Sequence, residues 1–366
     1  MGQPVLYHYG RFPPTNIQWD KLISLIGPAT GALTRYDGVL SVIRNPSVLL
    51  SPLTTQEAVL SSRIEGTQAT LGEVLEYEAE KDGNGFPEEK KEDIFEILNY
   101  RQAIWKAVEL LKKLPLCGRV ICEAHRVLNK APGEYRKTQN WIGPHGCSLE
   151  QARFVPISPD QLPDGISAWE KYIHQETPDK LVQLAVLHAE FEALHPFYDG
   201  NGRIGRLFVP LFLYKTELIK SPTFYISAYF EANREEYYER LLAVSRDNDW
   251  TGWCQFFLKA IESQARENQE KATKILQLYE EKKNQIQEIT RSQYTLHILD
   301  FIFENPIFKA TTLAKIGKIP ESSAKKLLID LRNANVIKTL KQASGRRAAV
   351  FVFHELLNIA EGREVF

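Results

Sequence analysis

Apolar residues recur at three- and four-residue spacing along most of the chain, as they do in helices that bury one face. The clearest stripe is Leu181, Leu184, Ala185, His188, Phe191 and His195. Pro196 predicts that this helix ends at His195, because the residue before a proline is pushed out of the α region. A second stripe, Ile204, Leu207, Phe208, Leu211 and Phe212, predicts a new helix after the loop Asp199-Gly200-Asn201-Gly202. Upstream, Ile94, Ile97, Ile104, Trp105, Val108 and Leu111 predict a helix over about 94–114, and 119–128 a further one. Thr54 as cap and Gly66 as stop bound a short helix over about 54–66. Residues up to about 50 are rich in Pro, Gly and aromatics, with apolar runs only at 39–43 and 48–50. They predict irregular structure wrapped around a helical core. Residues 76–93, dense in Glu, Lys and Gly, predict a solvated helix end and a loop.

Residues 132–143 and 152–156 are two short extended runs either side of a turn with Gly and Cys, which is either a hairpin or a plain surface loop. The aromatic segment 227–238 precedes a helix carrying Leu241, Leu242 and Val244. Residues 250–290 are helical in pattern, strongly charged after Glu262 and without a sustained heptad, so they predict a connecting helix. Helices over 296–303, 311–316 and 322–334 follow, the last two joined by Gly317-Lys318-Ile319-Pro320. Runs 336–340 and 348–353 then alternate like a hairpin across Ser344-Gly345. This order resembles a winged helix, with Lys325, Lys326 and Arg332 on its third helix and Arg346 and Arg347 at the wing tip. Such basic positions suit DNA, while many winged helices bind proteins instead. The fold class expected is mainly α, with a short β-hairpin flap and a C-terminal winged-helix-like domain. The segments expected are 1–92 with the helix at about 54–66, a core over 93–262, a connecting helix over 263–290 and the last domain over 291–366.

Composition changes this picture little. The 366 residues are 43% hydrophobic and 25% charged with a net charge of −1, which gives no overall pull toward nucleic acid or membrane. Cys117, Cys122, Cys147 and Cys254 lack CxxC spacing, so reduced thiols are expected rather than a zinc site. No apolar run approaches membrane-spanning length and the N-terminus lacks a leader pattern, which predicts a cytoplasmic protein.

The candidate chemistry lies between the two clearest stripes. His195 at a helix end is the group there suited to accepting a proton at neutral pH. Gly200 and Gly202 allow close approach of a ligand to the backbone. The next helix presents first-turn N–H groups without intrahelical partners, a ready site for a phosphate. Arg203 and Arg206, three apart, are expected on one face beside it, where they can fork onto phosphate oxygens. Asp199 is the natural ligand for a hard cation such as Mg²⁺ bridging those phosphates. Each residue taken singly is ordinary. Together, the seven fixed letters of HxFxxGNGRxxR arise by chance roughly once in 10⁹ positions.

That run resembles the motif HxFx(D/E)GNGRxxR of the Fic family and matches it at every fixed position. The resemblance implies a mostly helical fold that transfers the AMP part of ATP, with Mg²⁺, to a hydroxyl of a protein. It makes His195 the base for the target hydroxyl and Asp199 the Mg²⁺ ligand. Gly200, Asn201 and Gly202 become the anion cradle, continued by Ile204 and Gly205, and Arg203 and Arg206 hold the β- and γ-phosphates. Phe197 is expected to anchor the loop in the core. Ser61-x-x-x-Glu65-Gly66 resembles the family's inhibitory motif, which implies that Glu65 pairs with Arg206. The resemblance extends to a hairpin flap over 132–156, which would align an extended target segment, and to Asn233 as an adenine contact. The implied partners are ATP and proteins bearing Ser, Thr or Tyr, the chain itself included; DNA through 291–366 and a homodimer are further partners to test. Two alternatives stay open: AMP removal or other phosphoryl-group transfer at the same site, and a DNA-binding regulator whose core senses nucleotide.

Overall fold

The computed structural model describes residues 3–43, 45–80, 86–144, 146–317, 319–344 and 347–366. The described chain begins near strand β1 (Val5–Leu6) and then enters helix α1 (Ile23–Val42), where irregular structure was expected. Gly27, Pro28, Gly31 and Gly38 misled that expectation, since each weakens a helix. Ala29, Ala32, Leu33, Tyr36 and Leu40 nevertheless fall at helical spacing and are all buried. Burial of the larger side chains, about 1.5–3 kcal/mol each, outweighs those penalties. After α2 (Pro46–Leu49) comes α3 (Ser51–Glu65), which starts before Thr54. The Thr54 hydroxyl donates to the Leu50 carbonyl at 3.3 Å inside the helix, so it is no cap. Gly66 does stop α3, with φ at 119°.

Helix α4 (Leu71–Glu80) supplies the helix end expected at the start of 76–93. Thr70 and Glu73 start it reciprocally, the Thr70 hydroxyl accepting from the Glu73 N–H and Glu73 Oε2 from the Thr70 N–H. Helices α5 (Glu88–Leu111) and α6 (Gly118–Asn129) follow. The hairpin expected over 132–156 is reduced to a single antiparallel bridge, Ile142 with Phe154. Strand β2 (Phe154–Val155) instead pairs in parallel with β1. The N-terminal segment that resembled loose wrapping therefore supplies the partner strand.

Next come α7 (Leu162–Ile173), α8 (Lys180–Leu194), α9 (Asn201–Lys215), α10 (Ser227–Ala232), α11 (Arg234–Asp247) and the 41-residue α12 (Trp250–Thr290). Helix α12 has the extent its pattern predicted. In α8 every residue from Leu181 to Leu194 is buried, and α9 is buried nearly all round. The one-faced stripe expected for both was too narrow, because neighbouring elements sheathe the pair.

The C-terminal part contains α13 (Thr295–Glu304), β3 (Ile307–Lys309), α14 (Ala310–Ile316), α15 (Glu321–Asn333), β4 (Lys338–Lys341), β5 (Val350–Val352) and α16 (His354–Glu361). β5 lies between β3 and β4, antiparallel to both. β4 and β5 are the expected hairpin, whereas β3 and α16 were not expected. Lys325 and Lys326 are exposed on α15, with Lys325 paired to Glu321 at 2.9 Å. Lys318, Gly345 and Arg346 lie outside the described residues.

Two compact units emerge, and they interleave in sequence where consecutive segments were expected. One comprises Met1–Asp37, Leu60–Glu65 and Asn99–Arg266, the other Gly38–Val59, Gly66–Leu98 and Glu267–Phe366. In the second, Lys341 of β4 binds Glu76 and Glu80 of α4, the latter at 2.8 Å. Among the described residues no helix is long and apolar enough to cross a membrane.

Candidate active site

All of the site lies in the first unit and is built around the α8–α9 joint. The Asp179 carboxylate caps α8 by accepting from the Val182 N–H at 2.9 Å. At the other end the helix stops at Leu194, and His195 turns left-handed with φ 46° and ψ 59°. A non-glycine residue holds that conformation only when its surroundings over-determine it. Here the determinant is Arg136, 2% exposed, whose Nε donates to the His195 carbonyl at 2.9 Å. Its Nη2 reaches the carbonyls of Leu194 and Ile157, its Nη1 that of Thr138 at 3.2 Å, and its backbone N–H that of Pro196 at 2.9 Å. A cation saturating the last carbonyls of α8 also sits at the negative end of the helix dipole.

The loop that follows is held from three sides. Phe197 is fully buried with its ring stacked on His125 of α6, centroids 3.8 Å apart, as its anchoring role required. His125 Nε2 and Asn129 Nδ2 donate to the Asp199 carbonyl at 2.9 and 3.1 Å. Asn201 spends its amide on Phe197, accepting from its N–H and donating to its carbonyl, both at 2.8 Å. Asn201 thus fixes the loop with its side chain, and only its backbone is left for an anion. Gly200, at φ 81°, closes the turn against Asn129. A Cβ at Gly202 would collide with Glu65 Oε1 and come within 2.9 Å of Arg206 Nη1, so a side chain there would have to displace the Glu65–Arg206 pair.

Arg206, 1% exposed, points at the end of α3. Its Nε donates to Ser61 Oγ and its Nη2 to the Ser61 carbonyl, both at 2.9 Å, and Nη2 meets Glu65 Oε1 at 2.5 Å. Against the cost of burial, the Glu65 carboxylate holds the guanidinium pKa above its ordinary value. Arg203, expected on the same face as Arg206, instead donates from Nη2 to Asp199 Oδ2 at 3.0 Å. The Asp199 side chain is 77% exposed. Ile204 is core, and Gly205 gives its carbonyl to His188 Nδ1 at 3.1 Å. Asn233 sits between α10 and α11 with its amide on the Tyr229 carbonyl at 2.9 Å, and it is not part of the cavity wall.

A cavity of about 460 Å³ opens above the joint. Its polar lining includes Glu65, Glu192, His195 and Arg206, and its apolar lining includes Leu241 and Leu242 of α11. The size and the mixed lining suit a small molecule with one anionic and one apolar part. His195 Nδ1 donates to the Glu192 carbonyl at 3.3 Å, which leaves Nε2 as the lone-pair nitrogen. Burial pulls its pKa down to about 4, so the ring is neutral at pH 7. Burial raises Glu192 to about 8 against the pull of Arg206.

Arg136, His125, Asn129 and Glu192 carry parts of this site that the motif did not indicate. Arg136 lies 59 residues before the carbonyl it holds, and nothing in its own stretch marks that contact. Glu192 did leave a trace: it is a carboxylate between Phe191 and Ala193 in a helix with no polar face.

Models of the Fic/DOC family N-terminal region and of the Fic/DOC family match residues 23–109 and 115–213. The protein adenylyltransferase Fic of Drosophila grimshawi is 32% identical over 156 residues, and that of Drosophila virilis 31% over the same length. Each match covers 39% of this chain and 29% of the relative, so the chain spans under a third of the length of these curated relatives. Among solved structures, a Fic family protein from Desulfovibrio desulfuricans G20 superposes with a TM-score of 0.58 at 20% identity, over 91% of this chain and 95% of that one. A Fic domain containing signaling protein from Bacteroides thetaiotaomicron VPI-5482 gives 0.54 at 19% identity, over 68% of this chain and 96% of that one. The superpositions establish the fold, and with the two family models together covering α3, α8 and the joint to α9, the chain belongs to the Fic/DOC family.

Proposed function

We propose that the chain is a protein adenylyltransferase that moves AMP from ATP to a Ser, Thr or Tyr hydroxyl and is held back by Glu65. One observation carries this: a neutral imidazole faces a cavity whose other polar walls are a helix N-terminus and an arginine occupied by a carboxylate. His195 Nε2 takes the proton of the target hydroxyl as its oxygen attacks the α-phosphorus. The first turn of α9 and, once Glu65 has moved, Arg206 orient the remaining phosphates and offset the charge of the transition state. The apolar lining at Leu241 and Leu242 suits the nucleobase.

The residues fit Mg²⁺ in one respect. Among the described residues no cluster of three or more metal-ligating side chains exists, but Asp199 is an exposed carboxylate beside the phosphate cradle. Mg²⁺ is commonly held by one or two carboxylates plus substrate phosphates, so Asp199 would hold it together with the nucleotide. When bound, the ion would neutralise charge on the phosphates. The curated relatives at about 31% identity bear the name protein adenylyltransferase, which supports the reaction class.

A second reading rests on Glu65, whose half-exposed carboxylate shares the cavity with His195 and could position water for AMP removal. One experiment separates them. The purified chain and its Glu65→Gly variant are incubated with Mg²⁺ and ATP labelled on the α-phosphate or, in a parallel arm, on the γ-phosphate, alone and with cell lysate. Stronger α-label on protein with the variant is expected. Label arriving only from the γ-phosphate would sink the proposal, and loss of activity in the variant would favour AMP removal.

A further inference from the structure

We infer that Glu192 is a nucleotide-binding residue: as the neutral acid it donates a hydrogen bond to the terminal phosphate that Arg206 takes when Glu65 leaves. This rests on the reading of the cavity as an ATP site and adds a second, proton-bearing contact to its phosphate end.

Glu192 is 9% exposed and lines the cavity beside Arg206 and Gly202. Its Oε1 is buried and has no hydrogen-bond partner among the described residues. His188 Nε2, at 3.9 Å from that oxygen, has no proton to give. His188 Nδ1 must carry the hydrogen because it faces the Gly205 carbonyl at 3.1 Å, and Nε2 is then the acceptor for the Tyr237 hydroxyl at 2.9 Å. Gly205 clears room for the carboxyl, since a Cβ there would run into Glu192 Oε1. A buried carboxylate without a donor is costly. A carboxylic acid in the same place is instead a donor, on a residue that lines the cavity beside an arginine. A phosphate oxygen is the acceptor that both groups fit.

The groups facing Glu192 do not titrate in its range. Burial holds His188 at about 3 and His195 at about 4, both neutral, and pushes the Tyr237 phenol well above its ordinary value. Arg206 stays charged, and Glu65 is absent once the site is open. The carboxyl of Glu192, raised by burial to about 8 with Glu65 in place, loses the smaller push from Glu65 in the open site but keeps that of burial, and it is left as the group exchanging a proton on the alkaline side of an ordinary carboxyl. Ionising it places a negative charge against the phosphate, so ATP affinity falls as pH rises, approaching about tenfold per pH unit above the carboxyl's titration.

The test compares Glu65→Gly with Glu65→Gly/Glu192→Gln by calorimetric titration with Mg²⁺-ATP from about pH 6.5 to about pH 9.5. The nucleotide's own titration is common to both, so any difference belongs to residue 192. Affinity should fall toward alkaline pH in the first protein and stay level in the second, whose amide donates at every pH. Parallel profiles overturn the inference while leaving the ATP site intact. Absence of ATP binding to either protein at any pH overturns the ATP reading and this inference with it. Should the double variant fail to melt cooperatively, proton uptake by Glu65→Gly decides, measured near pH 8.5 in two buffers of different ionisation enthalpy. Uptake of a large fraction of a proton per ATP supports the inference, and none refutes it.

Discussion

Replacing Glu65 with glycine should make the chain less stable without ligand and more active with ATP. Breaking a buried ion pair from one side costs about 3–5 kcal/mol. The Glu65 side chain is 36% exposed and Arg206 keeps two hydrogen bonds to Ser61, so solvent and those bonds bring the cost to about 2–3 kcal/mol. Glu65 also ends α3 at the negative pole of its dipole, and losing it returns about 0.5 kcal/mol. The net is about 2 kcal/mol, a fall of about 3 °C in melting temperature for a chain of this length. If ATP must break the same pair to reach Arg206, wild type should bind ATP roughly 30-fold more weakly than the variant. At an ATP concentration about 100 times its dissociation constant the variant gains about 2.7 kcal/mol, which more than restores what it lost. Melting curves of both proteins with and without Mg²⁺-ATP, paired with transfer of α-labelled AMP, measure each quantity. Equal ATP-induced shifts in the two proteins would refute the idea that Glu65 and the nucleotide compete for Arg206.

His195→Ala should lower transfer by about 10²–10⁴-fold and leave ATP binding unchanged, because the imidazole supplies proton abstraction and other groups supply the phosphate contacts. Near-normal transfer in that variant would reduce His195 to a helix terminator. Asp199→Asn should regain activity as Mg²⁺ is raised while Arg203→Ala should not, and equal responses would count against separate roles for the two. Arg136→Ala strands at least three buried carbonyls and should destabilise by about 2–4 kcal/mol. Arg136→Lys should recover much of the stability yet turn over more slowly with an unchanged KM for ATP, since a single ammonium cannot hold His195 left-handed as the fork does. In the free protein burial pulls His195 down to about 4 and His188 to about 3 from the ordinary histidine value of 6.5. The unfolded chain therefore binds protons first as pH falls, and stability should drop from about pH 6.5 toward pH 4. An NMR titration showing His195 half-protonated near 6.5 would contradict its buried setting.

How far the site was legible depended on whether a residue acts through its neighbours in sequence or through distant ones. His195, the two glycines and Arg206 lie within one turn–loop–turn, where proline, glycine and helical spacing already constrain the backbone, and the structure lines one cavity with His195, Gly202 and Arg206. Spacing failed inside that same motif for Arg203, because two arginines three apart on a helix can still find different partners, and Asp199 lay four residues away. Asn201 was expected in the anion cradle, and its amide clamps Phe197, a contact that only the closed loop creates. Arg136, His125 and Asn129 act across 59 to 74 residues of sequence, and local pattern holds no information about such pairings. The fold divides the same way. Helices with strong periodicity, such as α12, were legible almost to the residue, whereas α1 was hidden by Gly27, Pro28 and Gly31 and is stabilised by burial its own sequence does not reveal. Strand β2 was legible as extended chain, but its partner β1 lies about 150 residues earlier, and a two-residue strand has no alternation long enough to announce a mate. The same reasoning explains why Glu65 could be placed from its spacing yet not its energetic role. That role is set by Arg206 being 1% exposed, and a charge so enclosed must be matched by a carboxylate or by a phosphate. On the proposed reading, one buried cation and two competing anions give the site two states, and the closed one is the state in which Glu65 holds Arg206.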